Sequence, residues 1–129
     1  MMLDESIYGL ADIDRAASLK AAMYIKVKLM KLVTLEALVQ AIAHIRARGM
    51  RPVLGNGVAC DLGCWLEACV AARHIDNAGE MNGFLKPHAH LLTQPLTFRD
   101  GALWLEPGYT PRLNYAVLER YRVDTYTAL

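Results

Sequence analysis

The strongest constraint on what this chain can fold into is an alternation. "MYIKVKL" at 23–29 carries β-branched and aromatic residues at period two, with Tyr24, Lys26 and Lys28 on one face and Ile25, Val27 and Leu29 on the other. A helix pattern follows at once: Thr34 is an N-cap for "LEALVQAIAHIRAR", in which Leu35, Leu38, Ile42 and Ile45 form an apolar stripe, and Gly49 supplies the stop. "RPVLGNG" then reads as a short buried strand entering a glycine turn, and Asp61 as the cap of a third helix, "LGCWLEACVAAR", ending near Arg73. Before the first strand, Asp12 is a candidate N-cap for "IDRAASLKAA", a helix ending near Ala22. Strand, helix, strand and helix at this spacing predict an α/β fold with a parallel sheet and helices packed outside it.

Beyond residue 74 the pattern changes, because glycine, asparagine and proline interrupt every run. "LTFRDGALWL" predicts two short strands around an Asp100-Gly101 hairpin turn, and "PRLNYAVLERY" a closing helix capped by Asn114.

Composition excludes several functions. The 129 residues are 54% hydrophobic, enough for one domain with a real core. Fourteen basic and 13 acidic side chains leave a net charge of +1 without blocks of one sign, so neither a nucleic-acid footprint nor a membrane-surface helix is expected. No apolar run approaches a membrane span and no leader pattern opens the chain, so a cytoplasmic protein with a small, roughly neutral partner is expected. Cys60, Cys64 and Cys69 are odd in number, fall within a helical pattern and suit packing better than a disulfide framework or metal site.

Chemistry is expected in two places. A lysine on the inward face of a parallel strand loses hydration, which lowers its pKa towards a usable general base; Lys28 is the natural candidate. The same lysines also suit an edge strand protected against aggregation. Asp4 and Glu5 follow a short apolar run, where a strand would hand over to a loop, the place where α/β sheets carry their chemistry. "DES" is equally an ordinary capping sequence.

Together the two features resemble a known family. An apolar strand ending in Asp-Glu-Ser, a helix, and then Lys-Leu-Met-Lys on the next strand is similar to the enolase superfamily, in its mandelate racemase and muconate lactonizing enzyme branch. In related dipeptide epimerases the catalytic lysine lies 24 positions after the fifth-strand Asp, the separation of Asp4 and Lys28 here (28 − 4 = 24). The resemblance implies that Asp4 is a magnesium ligand, that Lys28 on the sixth strand is the acid/base, and that Lys31 is its neighbour beyond the strand end. It continues through "MRPVLGNGVACDLGCWLEACVAAR", similar to the seventh strand and its helix, and "HIDNAGEMNGF", where the eighth strand presents substrate-specific residues.

On that resemblance the chain is the C-terminal portion of a TIM-type (β/α) barrel. Residues 1–95 would run from the end of the fifth strand through the eighth, and 96–129 would form a tail, with the hairpin and short helix, crossing to a capping domain. The other metal-binding carboxylates and a second-strand Lys-x-Lys pair would lie outside it. Lys26, Lys31, Glu5, Asn56, Asp61, Asp76, Asn77 and Glu80 are the candidate substrate-binding groups, with Asp76, Asn77 and Glu80 at the eighth-strand mouth and Asn56 and Asp61 nearest the end of the seventh. Loop capping is an equal reading of Asp76, Asn77 and Glu80.

Val33-Thr34 departs from the Gly-Gly that usually follows the sixth-strand lysine, and Ala59 from a common seventh-strand glutamate; no histidine stands there, against a mandelate racemase His-Asp dyad. His88 and His90 have a metal-pair spacing without an acidic partner. Gly55-Asn56-Gly57 lacks the rest of a dinucleotide fingerprint and reads as a tight turn. Trp65, Trp104 and the tyrosines are expected to pack.

Two functions follow. One is part of a magnesium-dependent enzyme that abstracts the proton α to a carboxylate of a small substrate, as a racemase, epimerase, dehydratase or cycloisomerase. The other is an inactive truncated or split piece that associates as a homo-oligomer or with a complementary barrel fragment, since a half barrel leaves an open parallel edge.

Overall fold

Three strands run parallel in sequence order, as the alternation predicts: β1 (Met2–Leu3), β2 (Tyr24–Val27) and β3 (Arg51–Leu54). The computed structural model describes residues 1–56 and 59–124. Met2 pairs with Tyr24 and Leu3 with Ile25; Ile25 pairs with Pro52 and Val27 with Leu54. A single parallel bridge between Gly55 and Glu80 carries the ladder one position further. Ile25, Val27, Pro52 and Leu54 therefore share a face, and the helices α1 (Leu10–Ser18) and α3 (Leu35–Ala47) cover it. Ile13, Leu38, Ile42 and Ile45 meet the strand residues in one core. The opposite face carries Tyr24, Lys26, Arg51 and Val53, none of them fully buried. The architecture is mixed α/β with a three-stranded parallel sheet and a small antiparallel hairpin.

Thr34 caps α3 as expected, its Oγ1 accepting the Ala37 N–H at 3.1 Å, and Gly49 ends it at φ +75° with Met50 N–H returning to Ile45 O. The first helix differs from expectation at both ends. Gly9 is its N-cap, while Asp12 sits one turn in and reaches back to accept the Tyr8 N–H at 2.9 Å. Its end comes at Ser18 rather than Ala22 because Lys20 turns to φ +49°, with Lys20 N–H on Ala17 O and Ala21 N–H on Ala16 O. That is the same reversal Gly49 makes, here without glycine.

The second strand is also shorter than predicted. Lys28 keeps an extended backbone but is the N-cap of α2 (Leu29–Leu32), and Leu29 is already helical. Val33 closes this turn at φ +71°, ψ −40°, with Thr34 N–H on Leu32 O at 2.8 Å. This is a γ-turn of the rare positive-φ kind, on a β-branched residue.

The third predicted helix is α4 (Asp61–His74), with Cys60 rather than Asp61 as N-cap. The Asp100-Gly101 turn joins β4 (Thr97–Arg99) to β5 (Ala102–Trp104) with both turn residues at positive φ, and Asn114 Oδ1 accepts Val117 N–H to cap α5 (Tyr115–Tyr121). Phe98 of the hairpin meets Phe84 edge-on, which docks this tail on the sheet unit. The expected tight turn at 55–57 ends at Gly57, outside the described residues. Among the described residues no helix is long and apolar enough to cross a membrane.

Candidate active site

Parallel strands deliver their C-terminal ends to one edge of the sheet, and here that edge holds six charged side chains. Asp4 and Glu5 follow β1, Lys26 is in β2, Lys28 and Lys31 flank the start of α2, and Glu80 sits at the bridge beside β3. Lys28 Nζ lies 2.9 Å from Asp4 Oδ1 and 2.8 Å from Glu5 Oε1. Lys31 Nζ reaches Asp4 O at 2.8 Å, Asp4 Oδ1 at 3.2 Å and Glu5 Oε2 at 3.1 Å, and stands 4.9 Å over the Tyr8 ring. Lys26 Nζ pairs with Glu80 Oε2 at 2.5 Å and with Asp4 Oδ2 at 3.4 Å. Gly55 makes that crossing possible, since a Cβ there would fall 2.2 Å from Lys26 Cε.

The electrostatics correct one expectation. Burial, the largest single influence on Lys28, pulls its pKa down, but hydrogen bonds to Glu5 and Asp4 and their charges outweigh it and leave the ammonium above the ordinary lysine value. Lys28 as it stands is a held acid, not a free base. The hydrogen bond that Lys26 donates to Glu80 raises Lys26 and lowers Glu80. Burial pushes Asp4 up, yet Lys28 and Lys31 bring it below its usual range, and the same two lysines lower Glu5.

Four candidate residues have hydrogen-bond or ion-pair partners outside this cluster. Asn56 is fully buried, its Nδ2 3.4 Å from Cys64 Sγ. Asp61, 2% exposed, accepts the Leu62 N–H and, at 2.9 Å, the Leu92 N–H, so it clamps the 91–93 segment to the start of α4. Asp76 pairs with Arg46 at 3.7 Å near the end of α3, and Asn77 donates to Pro52 O, both towards the other end of β3. Short polar side chains near a strand end are needed for clamping as often as for binding, and spacing cannot separate the two uses.

The oxygen donors of the mouth do not fit magnesium by themselves. The ion wants a near-octahedral set of oxygens, whereas both Asp4 oxygens and both Glu5 oxygens face ammonium groups. Among the described residues no group of three or more His, Cys, Asp or Glu is placed to hold a metal; His88 and His90 are both exposed. The three cysteines are free, and burial pushes the Cys64 thiol up to about 11, as suits a packing residue.

Sequence reading missed Glu67. It is 1% exposed on α4, its Oε1 accepts the Leu29 N–H at 2.9 Å, and Oε2 has no partner among the described residues. The available signal was a lone carboxylate inside "CWLEACVA", on the helix face shared with Cys64 and Ala68.

No family model matches the chain, and no curated protein matches it. Solved structures do. A mandelate racemase/muconate lactonizing protein from Herpetosiphon aurantiacus is 27% identical over 88% of this chain and 33% of its own, with a TM-score of 0.76. Muconate lactonizing enzyme from Pseudomonas putida is 25% identical, with coverages of 93% and 34% and a TM-score of 0.78. N-succinyl Arg/Lys racemase from Bacillus cereus, 22% identical, shares the fold over 95% of this chain and 34% of its own, with a TM-score of 0.83. The chain thus matches mandelate racemase/muconate lactonizing enzymes over about nine-tenths of its length and spans about a third of theirs.

Proposed function

We propose that this chain is the lysine-bearing, C-terminal part of a barrel of the mandelate racemase/muconate lactonizing type, and that it works in proton transfer α to a carboxylate once the rest of the barrel is supplied. Residues 1–95 would form the end of the fifth strand through the eighth, and 96–129 the tail to a capping domain. One observation carries the reading: Lys28 Nζ and Asp4 Oδ1 meet at 2.9 Å across the ends of neighbouring parallel strands.

Lys28 is the acid/base. Its proton is held by Asp4 and Glu5, and a substrate carboxylate entering the mouth competes with them for the ammonium groups of Lys26, Lys28 and Lys31. A base from the rest of the barrel would remove the α-proton on the opposite face, and Lys28 delivers its own proton to the resulting carbanion; in the reverse direction the neutral Lys28 amine takes the α-proton and generates the same carbanion. Racemisation, epimerisation, dehydration and cycloisomerisation share α-proton removal. In the complete barrel Asp4 would turn from the lysines to contribute one oxygen to magnesium; this chain's own donors do not suffice for the ion.

Exposed Met1 and Met2 at the outer parallel strand β1 favour a second role, a piece that associates with a complementary barrel segment or a second copy. One experiment addresses both. The chain is mixed with the remaining two-thirds of a muconate lactonizing-type enzyme and Mg²⁺ in D₂O, and deuterium at the α-carbon of a panel of N-acyl amino acids is followed by NMR. Exchange that needs both pieces and disappears with Lys28→Met supports catalysis; association by size exclusion without exchange leaves only the structural role.

A further inference from the structure

Glu67 is an expensive residue to keep. It is 1% exposed, one carboxylate oxygen lacks a partner among the described residues, and an unsatisfied buried oxygen carries a desolvation cost. The other oxygen accepts the N–H of Leu29, the first residue of α2, whose N-cap, Lys28, makes no side-chain cap of its own. A carboxylate on α4 thus supplies the missing cap for the turn that carries both Lys28 and Lys31.

We infer that Glu67 is the positioning residue for Lys28: by accepting the Leu29 N–H it fixes the junction between β2 and α2, and so the direction in which Nζ is presented to Asp4 and Glu5. Without it, α2 is a four-residue turn held at its far end by a positive-φ valine. The Lys28 carbonyl accepts the Lys31 N–H at 3.1 Å within the same turn, whereas the Glu67 bond ties the junction to another element. Burial pushes the Glu67 carboxyl up to about 7, opposed by the Leu29 N–H and the Lys28 charge. The titratable groups that face it are Lys28, across the junction, and Cys64, one turn earlier on α4.

The inference rests on the proposed role of Lys28, but its test does not measure turnover. Glu67→Gln keeps an oxygen acceptor and removes the ionisation; Glu67→Leu removes both. Two readouts are taken on the full chain: the Leu29 amide by NMR, as its shift against pH and its exchange with solvent, and the rate at which an amine-reactive acylating probe labels Lys28, with exposed Lys20 as internal reference. In the parent chain the Leu29 amide is expected to move with a midpoint near pH 7, and in Glu67→Gln to stay bonded and flat. Lys28 labelling is expected to stay slow in Glu67→Gln and to rise about tenfold in Glu67→Leu, the scale set by loss of one buried bond to a charged group. Lys28 labelling unchanged in a folded Glu67→Leu, or a Leu29 amide that exchanges with solvent as fast as one in an exposed turn in the parent chain, overturns the inference. Should Glu67→Leu not fold, Leu29 amide exchange in the parent chain and Glu67→Gln still decides it: protection in both supports the bond, and fast exchange in both overturns it. Absent exchange in the mixing assay, with this pattern intact, counts against the catalytic role alone.

Discussion

Gly55 and Lys26 fit together because the glycine has no side chain: a methyl group at position 55 would lie 2.2 Å from Lys26 Cε. The lysine crosses that gap to reach Glu80. In Gly55→Ala the flexible lysine moves and the backbone does not, so the expected loss is about 1 kcal/mol, the scale of one partly buried ion pair. Urea denaturation checks it through a cycle with Glu80→Gln. The two substitutions should be clearly non-additive, since either removes the same contact.

Val33 sits at φ +71° and is 81% exposed, so its side chain gains nothing by packing and its backbone is strained. Val33→Gly should stabilise the chain by about 1 kcal/mol after the extra freedom of glycine in the unfolded state is subtracted. The urea midpoint should rise with an unchanged slope. A fall would show that this turn carries no strain.

Glu67 gives stability a definite pH dependence. Its pKa is raised from 4.5 unfolded to about 7 folded, so its contribution is fully present below 4.5 and is lost as pH rises towards 7. The loss is about 3 kcal/mol. Asp4 and Glu80 are lowered and act in the opposite sense, their contribution being lost as pH falls below their unfolded values near 4. Stability should therefore be greatest near pH 5 and decline towards 7, and Glu67→Gln should flatten the decline while leaving the acid limb.

Magnesium should not bind the isolated chain saturably at millimolar concentration, because ammonium groups already occupy Asp4 and Glu5. Calorimetric titration tests this. Saturable binding that disappears in Asp4→Ala would show that the carboxylates exchange lysine for metal without the rest of a barrel.

Local signals with a single physical solution were legible in the sequence. Thr34 with Gly49, Asp100-Gly101 and Asn114 each name a cap or turn that few other conformations satisfy, and all three appear where expected. The apposition of Asp4 and Lys28 was legible through the resemblance, which sets the two on neighbouring strand ends, and parallel order brings such ends together. Lys20 was not, because its residue type does not advertise a positive φ; at Val33 the one signal was the glycine pair that the resemblance sets there. Nor was the protonation of Lys28, which depends on whether carboxylates outweigh burial and so needs distances. Asn56, Asp61 and Asp76 were placed by proximity along the chain, which does not reveal their partners: Asn56 is buried against Cys64, Asp61 accepts the Leu92 N–H and Asp76 pairs with Arg46. Glu67 was overlooked because it acts 38 residues from its partner.

The shared mouth of Lys28 and Asp4 is tested most directly by NMR of the lysine ammonium groups at neutral pH. A slowly exchanging Lys28 Nζ signal with a nuclear Overhauser contact to Asp4 Hβ, both lost in Asp4→Asn, is the expected result. A Lys28 ammonium that exchanges like exposed Lys20, with no contact to Asp4, would contradict it.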